Sequence, residues 1–251
     1  MIDRINPPKK EKYKLSVLIT CYNQLEYIED AIESVRKQNI GYPYEILIGD
    51  DGSSDGSFEF INEKYGSIEY IRIFRQDRDD NVKEYSNFRH ARLMVRLMKE
   101  VQGQYFAMMD GDDFYCDLDG FRRKIEILDD ESNQDCIVCI SNFKYIYDDG
   151  SEEIGNQMPL LPKRDFVQSF AGNRQYGPDP YCLFPTGVTR SSVLSYLEEE
   201  HTQDLADNGI LWWVMNYGSR FYDDHITYAY RKHTGSIFTS TSDATSVSSF
   251  N

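Results

Sequence analysis

The sequence predicts an α/β fold on a mostly parallel sheet, and three observations carry that reading. Four short apolar runs, the first of them rich in β-branched residues, recur within about the first 110 residues. Amphipathic helical stretches separate them, long enough for right-handed crossovers. Three of the runs feed directly into polar clusters. In parallel sheets, ligands gather outside the carboxyl ends of the strands, so those clusters mark one rim as the candidate site.

The first run, LSVLITC (15–21), reads as a buried strand bounded by the polar turn Tyr22-Asn23-Gln24. LEYIEDAIESVRKQ follows, with Leu25, Ile28, Ile32 and Val35 on one helical face and basic residues at its end. YEILIG (44–49) is the second strand and runs into DDGSSDGS, where Ser54 or Asp55 can cap a helix over 57–65. IRIF (71–74) is the third strand. After a charged loop, Met94, Leu97, Met98 and Val101 recur at helical spacing. QYFAMM (104–109) is the fourth strand and enters Asp110-Gly111-Asp112-Asp113.

The second half is less regular. Residues 135–147 suggest one or two strands, and the prolines between 155 and 190 predict a loop-rich segment. Helical stretches are expected near 191–200 and 203–217, then a strand in FYDDHITYAYR. Four parts follow: a leader (1–13), an α/β half (14–130), a second half of the same domain (131–236), and a mobile Ser/Thr-rich tail (237–251).

The chain has 251 residues, with 27 Lys and Arg against 42 Asp and Glu, a net charge of −15. That balance argues against nucleic acid as a partner, and an anionic substrate would need a cation to mediate its contact. No apolar stretch is long enough to span a bilayer, and the first residues lack the apolar core of a signal peptide. Lys9, Lys10, Lys12 and Lys14 leave room for peripheral contact with an anionic membrane. Five scattered cysteines read as reduced, so a cytoplasmic location is expected. The pair Cys136 and Cys139 reads as small buried strand residues, since no second pair or nearby His completes a zinc site.

The informative chemistry is acidic. Three carboxylates within four residues repel one another unless a cation or hydrogen-bond donors neutralise them. Hard oxygen ligands at a strand end suit Mg²⁺ or Mn²⁺, although an acidic turn that merely caps a helix has the same look. Asp50-Asp51-Gly52-Ser53-Ser54-Asp55 is a second acidic turn, able to cap a helix and to accept the imide N–H of a pyrimidine. Tyr22 offers a ring on which a base could stack. Neither a phosphate-binding G-x-x-x-x-G-K-[ST] nor G-x-G-x-x-G is present, nor the G-x-S-x-G of a serine hydrolase.

Taken together, SVLITCYNQLEYIEDAIESV, EILIGDDGSSD and GQYFAMMDGDDF resemble the family 2 glycosyltransferases of the GT-A fold, firmly over 14–130 and more loosely over 200–236. The resemblance implies a Rossmann-like, mostly parallel sheet flanked by helices, with a loop-rich C-terminal acceptor half. It implies inverting, hexosyl-type transfer from a nucleotide diphosphate sugar, UDP favoured, to a glycan or lipid-linked saccharide acceptor. By the same resemblance Thr20 and Tyr22 line the base pocket and Asp51 reads the imide. Asp110 lies near the ribose, Asp112 binds Mn²⁺ or Mg²⁺, and Asp113 supports that site. Tyr230-Arg231-Lys232-His233 resembles the family's closing Y-R-x-H segment, so His233 is a second metal ligand and Arg231 or Lys232 meets the phosphates.

The general base is expected at Asp207, with Asp204 as its competitor, because the Glu usual in the family before that Asp is replaced by Ala206. Tyr176, Tyr181, Phe184, Trp212 and Trp213 are candidate acceptor platforms, with at least one tryptophan expected in the core. Other readings of the same carboxylates are a nucleotidyltransferase, a sugar-nucleotide hydrolase, or an inactive nucleotide-sugar binding module.

Overall fold

A computed structural model describes residues 12–77, 86–155, 163–164, 184–197, 210 and 213–233. The chain runs β1 (Tyr13–Cys21), α1 (Ile28–Arg36), β2 (Tyr44–Asp50), α2 (Ser57–Tyr65), β3 (Ile71–Arg75), α3 (Ser86–Glu100) and β4 (Gly103–Asp110). It continues through β5 (Phe114–Tyr115), α4 (Gly120–Asp129), β6 (Cys136–Tyr147), β7 (Glu152–Ile154) and β8 (Lys163–Arg164). It closes with β9 (Val188–Arg190), a 3-10 segment (Ser191–Tyr196) and β10 (Ser219–Lys232).

Among the described residues these strands make one sheet in the order β3-β2-β1-β4-β9-β6-β10-β5, with β7 on β6 and β8 on β10. The β3-β2-β1-β4 block is parallel throughout. Beyond it β9 runs antiparallel to β4 and β6, whereas β10 runs parallel to β6.

Strand alternation on β1 explains the two cores. Leu15, Val17 and Ile19 face α1, α2 and α4, and pack with Ile28, Ile32, Ile61, Phe121 and Ile125. Leu18 faces the other way and joins Met94, Leu97 and Met98 of α3 with Val193, Ile210, Trp213 and Val214. A strand buried on both faces reads as a continuous apolar run, which is what LSVLITC is. Cys136 and Cys139 are both fully buried on β6, as expected of small strand residues.

Three local expectations change. Leu25 is 42% exposed and precedes α1, which begins at Ile28, so it is not on the buried helical face. The residue before α2 is Gly56 at φ 95°, a left-handed conformation that suits glycine. Asp55 instead serves the helix from one position earlier, accepting from the Ser57 N–H at 3.0 Å and its hydroxyl at 2.6 Å. Residues 191–196 form 3-10 turns rather than an α-helix.

Candidate active site

The strand register brings the three polar turns to one level. Thr20 pairs with Gly49 on one side and Asp110 on the other, and Cys21 pairs with Asp50. The chain therefore leaves β1, β2 and β4 at the same rim. The first two loops are then laced together: the Asn23 N–H donates to Ser53 Oγ at 2.9 Å, and the Ser54 N–H donates to Asn23 Oδ1 at 2.8 Å. Gln24 and Leu25 donate their N–H groups to Ser57 Oγ and Asp55 Oδ2, both at 3.0 Å. The Ser and Asp residues of DDGSSDGS thus hold the β1–α1 loop in place.

Asp51 is buried and held by Arg89 of α3. The guanidinium donates from Nε to Oδ2 at 3.1 Å and from a terminal nitrogen to Oδ1 at 3.0 Å, while Gln76 Nε2 donates to Oδ1 at 2.9 Å. Oδ1 thus accepts two hydrogen bonds and Oδ2 one, which leaves Oδ2 a second lone pair. Thr20 Oγ1 donates to Asp110 Oδ1 at 2.8 Å, and His90 Nε2 stands 3.6 Å from the same oxygen. Tyr22, two residues beyond Thr20 in the chain, is 39% exposed.

The Asp110–Asp113 turn depends on a close approach. The Gly111 N–H donates to Thr20 O at 2.8 Å, and a Cβ on Gly111 would lie 2.8 Å from both that oxygen and Ile28 Cδ1. Past the turn, β5 pairs antiparallel with β10, bringing the end of β10 back over the acids. Asp113 is the inward member. Tyr228 Oη donates to its Oδ2 at 2.6 Å and the Arg231 N–H to its Oδ1 at 2.8 Å. Burial, with Asp112 and Asp110 alongside, pushes its carboxyl well above the usual range, and the two donors oppose that.

Asp112 faces outward and meets His233, with Nε2 and Oδ2 3.1 Å apart and side chains 10% and 18% exposed. The His233 ring packs on Tyr27 at 4.5 Å. The Arg231 guanidinium lies between Tyr27 (4.9 Å) and Phe114 (5.1 Å) and reaches Asp30 at 3.2 Å. Lys232 points elsewhere, over Tyr145 at 3.8 Å. Arg231 and Lys232 thus lie in different surroundings, as alternation along a strand requires.

The donor set at Asp112 and His233 fits a divalent ion. Two ligand atoms about 2.1 Å from an octahedral ion lie about 3.0 Å apart when adjacent, close to the separation of Asp112 Oδ2 and His233 Nε2. A carboxylate with one imidazole leaves positions for water and phosphate oxygens. Another trio, Asp223, Asp224 and His225, brings three potential ligand atoms within 4.8 Å of one another. It sits eight residues earlier on β10, and Asp223 is committed there to Arg123 at 2.8 Å.

Residues 16–190 match the family described as Glycosyl transferase family 2, well over half of the chain. The chain belongs to glycosyltransferase family 2. An uncharacterized protein of Mycobacterium tuberculosis (strain H37Rv) is 29% identical over 152 residues, which are 60% of this chain and 41% of that protein. The chain thus spans about two fifths of the length of the curated relatives it first matches. S. aureus TarS 1–349 in complex with UDP-GlcNAc superposes with a TM-score of 0.66 at 18% identity, covering 90% of this chain and 61% of that one. A mannosyltransferase of Pyrobaculum calidifontis in complex with GDP-Man and Mn²⁺ gives 0.57 at 13% identity, covering 86% and 56%. The fold is therefore GT-A, as the three strand-end motifs led us to expect.

The family 2 fold gathers Thr20, Tyr22, Asp51, Asp110, Asp112, Asp113, Arg231 and His233 along one rim. Asp207 and Asp204 lie outside the described residues, as do Tyr176, Tyr181 and Trp212. Trp213 is in the core beside Val214, as expected of at least one of the two tryptophans. The sequence reading missed Arg89, Tyr27 and Tyr228. Arg89 lacked a signal because its partner is 38 positions away. Tyr228 could have been found, two residues before the Y-R-x-H segment, once that segment was placed against the acidic turn.

Proposed function

We propose that this chain transfers a sugar, with inversion, from a nucleotide diphosphate donor to a hydroxyl of a glycan or lipid-linked saccharide. The observation that carries the reading is the closure of β10 on the acidic turn, which places His233 on Asp112 and the Arg231 N–H on Asp113. UDP is the favoured nucleotide. Asp51 Oδ2, which takes one hydrogen bond from Arg89, keeps a lone pair for the imide N–H of uracil, and Tyr22 offers a ring for stacking. The UDP-GlcNAc complex of TarS supports the same choice.

Asp112 and His233 would hold Mn²⁺ or Mg²⁺, which neutralises charge on the departing diphosphate. The P. calidifontis complex containing Mn²⁺ supports this. Thr20 orients Asp110 toward the ribose, and Tyr228 fixes Asp113 so that the turn keeps its shape. Asp207 takes the proton of the attacking hydroxyl as the new bond forms, on the face opposite the departing nucleotide. The chain would work in the cytoplasm, with peripheral membrane contact if the acceptor is lipid-linked. No helix among the described residues is long and apolar enough to cross a membrane.

The test is turnover of UDP-glucose, UDP-galactose and UDP-GlcNAc with Mn²⁺ and an acceptor panel, reading UDP release and product anomeric configuration by NMR. We expect an inverted glycoside, and a loss of about 10²–10⁴-fold in Asp207→Asn. Free sugar as the sole product would mean a hydrolase. Binding without turnover, indifferent to Asp207→Asn, would mean a binding module.

A further inference from the structure

We propose that the side chains at the adjoining ends of β6 and β10 form the acceptor subsite, and that it takes a neutral saccharide. This rests on reading the rim as a glycosyl-transfer site. The register pairs Tyr145 with Tyr230 and Tyr147 with Lys232. Tyr145 meets Tyr230 edge-on at 5.8 Å and Tyr147 at 6.5 Å. The Lys232 ammonium sits 3.8 Å from the Tyr145 ring centre and 5.5 Å from that of Tyr147. All four side chains are half-buried, so they are packed yet open to solvent.

Position and chemistry both favour this occupant. Although the Lys232 side chain points away from that of Arg231, the end of β6 comes back to the donor side: the charge of Asp148, next to Tyr147, is felt at Tyr27, on which the His233 ring packs. A sugar ring presents an apolar C–H face that suits the electron-rich face of an aromatic ring. Its hydroxyls need donors and acceptors together. Lys232 supplies the donor, and no carboxylate pairs with it among the described residues. Glu153, which accepts from Tyr147 Oη at 2.7 Å, supplies an acceptor. The acids Asp148, Asp149 and Glu153 on the β6–β7 hairpin disfavour an anionic saccharide.

The test is calorimetry with lactose, maltose, cellobiose and chitobiose, and with digalacturonic acid, on protein preloaded with UDP and Mn²⁺. At least one neutral disaccharide should bind, and digalacturonic acid should bind about tenfold more weakly or not at all. Tyr147→Ala and Lys232→Met should each weaken the neutral ligand about fivefold. Tyr147→Phe, which keeps the ring, should restore most of that loss, and Tyr147→Ala should leave UDP affinity unchanged. Absence of disaccharide binding, equal binding of the acid, or unchanged affinity in both variants would overturn the proposal. UDP affinity in the same samples separates the two readings. If UDP binds and no disaccharide does, the acceptor subsite alone fails; if UDP does not bind, the donor reading fails first.

Discussion

Asp51 and Arg89 form a two-bond ion pair with side chains 9% and 7% exposed, and that burial sets the consequence of losing either partner. An exposed pair of this kind contributes little. A buried carboxylate stripped of its guanidinium keeps its desolvation cost, so Arg89→Met should destabilise the fold by about 3 kcal/mol. Adding Asp51→Asn should recover part of that loss. Urea denaturation of the two single variants and the double variant checks this, and additive losses would contradict a direct pair. The acids of this site are legible in the sequence because they cluster. Their partners are not, because Arg89 reaches Asp51 from α3 and Tyr228 reaches Asp113 from 115 positions away.

At the scale of elements, periodicity works where an element is buried by its own pattern. The helix expected over 57–65 is α2 to the residue, and 104–109 lies within β4. It fails where backbone geometry decides. The segment before α1 is not helical because Asn23 takes φ 53° and the loop spends its N–H groups on Ser53, Ser57 and Asp55. The parallel pairing of β6 with β10 was also hidden, since the local sequence does not say which distant strand is the neighbour. The acidic turn is the element on which the site depends. A methyl on Gly111 would press the Thr20 carbonyl, which is backbone and cannot swing aside. Gly111→Ala should cost about 1–3 kcal/mol of stability by thermal denaturation. It should also weaken Mn²⁺-dependent UDP binding by about tenfold, as Asp112 is carried off His233. Unchanged UDP binding would show that the turn tolerates the shift.

Over the whole molecule, the second half of the sheet is held by a buried polar cluster. Lys124 of α4 is fully buried and donates to Thr227 Oγ1 at 2.7 Å, and Thr227 lies 2.5 Å from Ser141 Oγ. Burial lowers the Lys124 ammonium from the ordinary 10.5 to about 8. Between those values the unfolded chain binds more protons than the folded one, so this group adds stability as pH rises from about 8 to 10.5. Below pH 8 both states carry the charge, and the folded state bears a cost on the order of 3 kcal/mol. Lys124→Met should therefore be more stable than the parent at pH 7, with the advantage shrinking toward pH 10. Urea denaturation at both values checks it, and a constant difference would contradict it.

The same scale frames the central claim. A chain of net charge −15 repels a nucleotide diphosphate, and the rim resolves this only if Asp112 and His233 bring a divalent ion to the phosphates. The most direct measurement is calorimetric titration of UDP, dTDP and GDP into the protein and into Asp112→Asn, each with Mn²⁺ and with EDTA. The account predicts binding of one nucleotide, UDP foremost, that needs Mn²⁺ and is lost in Asp112→Asn. Binding that is indifferent to EDTA and to the substitution, or no binding of any nucleotide with Mn²⁺ present, would contradict it.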